Sequence, residues 1–130
     1  MVQQTSRPAP GFVQNPDKRI DIVPHDREVT VRTGEIILAA TNRAKRLEEE
    51  GLPPVLYIPF EDIHFANLQP TGTKTHCPYK GDASYWRLAD GVLQGDVMWA
   101  YESPYDEMIA IKGHGAFYAD RVTVKEGEGG

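Results

Sequence analysis

Apolar residues recur along this chain mainly at alternate positions, the period of a half-buried strand, and only one stretch carries a helix's start and stop signals. Val29 and Val31, then Ile36, Ile37 and Leu38, flank Thr33-Gly34 and predict a hairpin with glycine relieving the turn. Thr41 can cap a helix over Asn42 to Glu50, with Leu47 facing inward and Gly51 supplying the left-handed stop before Pro53-Pro54. After it the pattern is β again. Val55 to Ile58 is a compact apolar run ending at Pro59, and Ile63, Phe65 and Leu68 alternate with polar residues as a half-buried strand does. Ser84 to Leu88 and Val92 to Tyr101 lie either side of Asp90-Gly91, the strongest hairpin turn in the chain, with Gly95 marking a bulge or a close backbone approach. Asp106 to Ile111 can form a helical turn, and Gly115 to Val124 supplies a last strand. Short strands with one short helix predict a mainly β fold, a sandwich or small barrel of antiparallel sheets.

Both ends lack core material. Residues 1–16 are polar and proline-bearing and 126–130 are glycine and glutamate, so flexible tails are expected around a single domain over residues 17–125. The 130 residues can bury roughly two thirds of their unfolded surface in one core. A net charge of −5 argues against a nucleic-acid partner, because phosphate binding draws on clustered Lys and Arg. The densest basic cluster, Arg43, Lys45 and Arg46, is answered at once by Glu48, Glu49 and Glu50, as on a solvated helix face. No apolar run approaches a membrane span or a secretory leader, so no membrane partner is expected. A single cysteine, Cys77, excludes an intrachain disulfide and paired zinc knuckles and fits a reducing cytoplasm.

Chemistry concentrates in residues 75–86, Thr-His-Cys-Pro-Tyr-Lys-Gly-Asp-Ala-Ser-Tyr-Trp. Cys77, His76 and Lys80 are the candidate reactive groups, a thiol near positive charge being a candidate nucleophile. Neighbours on a strand point to opposite faces, however, so His76 is not Cys77's base by adjacency. Tyr85 and Trp86 lie on one arm of the Asp90-Gly91 hairpin and Trp99 and Tyr101 on the other, where they can wall a pocket for a planar ligand. Tyr57, Tyr79, Glu61 and Asp62 complete the candidate ligand-binding set, the two acids serving as counter-charge to Lys80 or as an acid/base pair. His64, His76, Cys77 and His114 are potential metal ligands, but no spacing among them is that of a metal motif and none is assigned. Gly-rich phosphate loops, a serine elbow and paired nucleotidyl-transfer aspartates are absent, and no cofactor is implied.

The run Thr75-His76-Cys77-Pro78-Tyr79-Lys80-Gly81 with Ala83, Tyr85 and Trp86 resembles the signature of the domain of unknown function 427 family. Tyr57 and Pro59 before Glu61-Asp62, Trp99-Ala100-Tyr101 with Pro104, and Gly115 to Tyr118 with Asp120 and Arg121 support the resemblance over residues 17–124. It implies a β-tent, two antiparallel sheets meeting at an angle, similar to zinc-binding exchange-factor-like proteins and the ligand-binding domain of cereblon. The Cys-x-x-Cys pairs that hold zinc in such relatives are missing here. Two functions follow as expectations: a module that binds a small molecule among its aromatics, or a small enzyme using Cys77 or His76 with Lys80 and Glu61 or Asp62. An exposed sheet edge would also permit a homo-oligomer.

Overall fold

The computed structural model describes residues 7–127, and among these the strands form two antiparallel sheets. In chain order they are β1 (Ile20–Pro24), β2 (Val29–Thr33), β3 (Ile36–Thr41), β4 (Lys45–Glu49), β5 (Val55–Pro59), β6 (Leu68–Cys77), β7 (Gly81–Leu88), β8 (Asp96–Ala100), β9 (His114–Phe117) and β10 (Thr123–Glu126). The larger sheet runs β1-β4-β5-β9-β8-β7-β6, the smaller β10-β2-β3. The mainly β expectation holds, as does the β2–β3 hairpin at Gly34, whose φ is +57°.

The larger sheet buries side chains on both faces. On one, Ile58, Trp86, Met98 and Phe117 cluster with Val29, Val31 and Leu38 of the smaller sheet. On the other, Leu47, Tyr57, Ala83, Tyr101 and Ala116 form a second core. That core is closed by Met108 and Ile111 of the 3-10 segment Asp106–Ile111 and by Phe12 of a short helix α1 (Pro10–Gln14). Double coverage explains the unbroken run in β5: Leu56 and Ile58 serve the first core, Val55 and Tyr57 the second.

Four expectations are corrected. The stretch expected as a helix over 42–50 is β4, paired with β1 through Leu47 and Ile22 and with β5 through Leu47 and Val55. Its Lys, Arg and Glu favour a helix, but Leu47 is its only large apolar side chain and no helical stripe can be built on it. As a strand, the same Leu47 is buried to 2% exposure while backbone groups on both sides find partners. Ile63, Phe65 and Leu68 do not share a strand: the 3-10 turns Phe60–Asp62 and Phe65–Asn67 intervene before β6, and Ile63 makes one isolated bridge to Ala39. Gly115 to Val124 divides into β9 and β10 in different sheets, because the amides of Arg121 and Val122 both turn back onto the Tyr118 carbonyl. The hairpin about Asp90-Gly91 exists, but its second arm begins at Asp96 rather than Val92.

Part of the stretch expected as an N-terminal tail carries structure. Ala9 is fully buried, the Gly11 amide donates to the Pro78 carbonyl at 2.9 Å, and the Phe12 and Tyr79 rings meet edge-on at 5.0 Å. At the other end Glu126 closes β10, and the Gly127 amide donates to Glu28. Residues 1–6 and 128–130, the remainder of the expected tails, lie outside the described residues. Among the described residues no helix is long and apolar enough to cross a membrane.

Candidate functional site

The conspicuous heptapeptide is a turn held from outside. Thr75, His76 and Cys77 end β6, Pro78 to Lys80 make the turn, and Gly81 opens β7 at φ +120°, a conformation that other residues rarely adopt. The Lys80 amide closes the turn on the Cys77 carbonyl at 3.2 Å. The Pro78 and Lys80 carbonyls accept from the amides of Gly11 and Tyr105 at 2.9 and 3.0 Å, so α1 and the segment after β8 clamp it from two directions. Tyr79 packs under α1 and takes the Lys18 ammonium over its ring at 5.5 Å.

From this turn Lys80 reaches inward. Its Nζ lies 2.7 Å from Glu49 Oε1, while Lys18 Nζ lies 3.2 Å from Glu49 Oε2, with the Lys80 and Glu49 side chains only 12% and 10% exposed. Burial alone would raise the Glu49 carboxyl, but hydrogen bonds and charge from Lys80 and then Lys18 hold it below the usual range.

This pair lies in the wall of a cavity of about 250 Å³ on the second-core face. Around it stand Tyr57, Tyr85, Trp99, Tyr101 and Tyr118, with Leu47 and Val55 beneath and Leu52 and Pro53 at the lip. Strand register assembles the wall: Tyr85 of β7 stands opposite Trp99 of β8, and Leu47 of β4 opposite Val55 of β5. Trp99 donates its indole N–H to the Tyr57 hydroxyl at 3.3 Å, and its ring lies 4.5 Å from that of Tyr118. The Tyr85 hydroxyl is satisfied by that of Thr75 at 2.7 Å. Burial is the main reason the Tyr57 and Tyr101 phenols are held far above their ordinary range, with neighbouring Cys77 and Glu49 adding to it. Tyr118 is pushed up to about 12, again chiefly by burial and then by Tyr85. The phenols are therefore neutral donors at physiological pH.

Of the residues singled out in the sequence, Tyr57, Lys80, Tyr85, Trp99 and Tyr101 meet at this cavity. Trp86 does not. It pairs with Met98 on the opposite face of the sheet, with Phe60 and Phe65 against its ring at 6.3 and 6.0 Å. Tyr79 belongs to the α1 contact. Asp62 accepts from Thr41 Oγ1 at 2.7 Å and pairs with Arg43, as does Glu61, so these acids answer Arg43 instead of Lys80. The Thr41 bond, then Arg43, lowers the Asp62 carboxyl. His76 Nδ1 lies 2.7 Å from Asp82 on the exposed side, and Cys77 is half-buried in the second core without lining the cavity. His64 and His114 rest on the carbonyls of Ile37 and Lys112. Among the described residues no three His, Cys, Asp or Glu side chains gather as a metal site.

Sequence reasoning missed Glu49, Leu47 and Tyr118 as wall residues. The signal for the first two was the i, i+2 spacing of Leu47 and Glu49, which shares a face only on a strand. The hairpin that brings Tyr85 or Trp86 to Trp99 was legible, but the register that chooses Tyr85 and the path that brings in Tyr118 were not.

Fold and site together define a mainly β domain with an aromatic cavity on one sheet face and a buried lysine–carboxylate cluster in its wall. The chain belongs to the family described as Domain of unknown function (DUF427), whose model matches residues 21–127. Lys18 and α1, which brace the turn and Glu49, precede that match. No curated protein matches the chain.

Proposed function

We propose that this protein is a small-molecule binding module whose ligand occupies the cavity between β4, β5, β7 and β8. The observation that carries the reading is the convergence of five aromatic side chains and Lys80, largely buried and paired with Glu49, on one hollow of about 250 Å³. Pockets of this kind bind by large apolar contact with a few placed polar groups. The β-tent relationship implied by the family resemblance is consistent with an aromatic cage on a sheet face, and the net charge of −5 favours a small molecule over nucleic acid. A reducing, cytoplasmic setting suits the free thiol of Cys77.

The enzyme reading has less support. Lys80 is engaged by Glu49, Glu61 and Asp62 by Arg43, and His76 and Cys77 stand outside the cavity wall. The test is an NMR screen of small planar compounds followed by two variants. Binding lost in Trp99→Ala and kept in Cys77→Ser supports the module; hits indifferent to Trp99→Ala sink it. Turnover of a hit that disappears in Cys77→Ser would instead revive the enzyme.

A further inference from the structure

Free donors in the cavity wall, beside a carboxylate already paired with two cations, point to the kind of ligand it suits. Glu49 is the one acid in the wall, and both its oxygens are committed, Oε1 to Lys80 and Oε2 to Lys18. The Tyr57 hydroxyl accepts from Trp99, which leaves its own hydrogen without an acceptor. The Tyr101 hydroxyl has no partner among the described residues. Lys80 uses one of its three N–H groups on Glu49. The wall thus offers Lys80 N–H groups and phenol hydrogens as donors, while its one carboxylate is already paired with two cations. Lys80 and Glu49 are the charged side chains of the wall, and Lys18, paired with the second Glu49 oxygen from outside the wall, makes the cluster two cations against one acid.

Size is compatible with such a ligand. An enclosed apolar cavity of about 150 Å³ accepts benzene, so a partly open hollow of about 250 Å³ has room for a single ring with a polar group. The half-buried aromatic walls suit the ring, and a desolvated carboxylate would receive hydrogen bonds that are stronger for being charge-assisted.

We infer that the cavity takes a single-ring aromatic carboxylate, its ring among Tyr85, Trp99 and Tyr118 and its carboxylate on Lys80 and the Tyr57 and Tyr101 hydroxyls. This rests on the binding-module reading and adds the sign of the ligand's charge. Cationic amines and neutral amides of the same ring are disfavoured, the first by Lys80 and the second by its weaker acceptor.

Titration with benzoate, benzamide and benzylamine tests this, read from the indole N–H signals, with Trp86 in the opposite core as internal control. Benzoate is expected to shift Trp99 and not Trp86, with affinity at least about tenfold above benzamide and more above benzylamine, the ratio expected of one hydrogen bond to a charged group. Lys80→Met should erase the benzoate preference. Should that variant fail to fold, Tyr101→Phe keeps the test open: its hydroxyl has no protein partner, so unfolding temperature should hold while benzoate weakens severalfold. Benzylamine or benzamide binding as tightly as benzoate overturns the charge assignment but leaves the module standing. Benzoate affinity unchanged in both variants overturns it too. No Trp99 shift with any of the three up to about 10 mM, the limit of weak binding, overturns both readings.

Discussion

Among single residues, Glu49 carries a consequential charge, because it pairs with two ammonium groups, of which Lys80 is only 12% exposed. Glu49→Gln keeps the shape and removes the charge, and should cost about 2–4 kcal/mol by chemical denaturation at neutral pH. The pH dependence has a definite sign. The folded Glu49 carboxyl lies below its unfolded value of 4.5, so its stabilisation is fully present above that pH and is lost as pH falls through the lowered folded value. Burial, then Lys45, lowers His114 against the Lys112 carbonyl's opposing pull. The folded state therefore binds fewer protons than the unfolded one just below 6.5, and stability begins to decline there as pH falls. A denaturation series on the parent protein should show both declines, and Glu49→Gln should lack the lower contribution; identical acid profiles would contradict the assignment.

At the level of elements, β4 and α1 carry the clearest tests. Leu47→Ala in β4 removes a side chain at 2% exposure and should cost about 2–5 kcal/mol, while Glu48→Ala on the outer face should stay within about 0.5 kcal/mol. That contrast follows from strand alternation, and equal effects would argue against it. In α1, a methyl at position 11 would stand 2.8 Å from two carbons of the Tyr79 ring, with the Pro78 carbonyl at 3.0 Å behind it. Gly11→Ala should therefore cost about 1–3 kcal/mol and speed hydrogen exchange of the amide at position 11, which otherwise donates to Pro78. Unchanged exchange would mean that the helix does not clamp the turn.

Across the whole molecule, the proposed binding role assigns the two tryptophans separable effects. Trp86 lies in the core shared by both sheets and Trp99 in the cavity wall. Trp86→Ala should cost about 3–5 kcal/mol; Trp99→Ala should lose ligand with a smaller stability change. The junction of the sheets has its own tie in His25, 8% exposed, whose Nε2 lies 2.7 Å from Glu126 of β10 and whose Nδ1 lies 3.1 Å from Arg46 of β4. An arginine can only donate, so Nδ1 accepts from Arg46 and the Nε2 hydrogen goes to Glu126, tying β4 to β10 across the two sheets.

The sequence by itself determined a mainly β chain, the β2–β3 hairpin, the apolar β5, and a hairpin about Asp90-Gly91 that brings Tyr85 and Trp86 near Trp99. These rest on contacts between near neighbours in the chain, where alternation and turn residues suffice. Tertiary structure alone decided that 45–49 is a strand, since its backbone is claimed by β1 and β5, which lie on either side of it in the sheet. It also decided which way each aromatic of the motif faces: one step along β7 separates Tyr85 at the cavity from Trp86 in the opposite core. Above all it gave Lys80 its partner, 31 residues earlier in the chain, because a buried ammonium must find a carboxylate wherever the sheet brings one within reach.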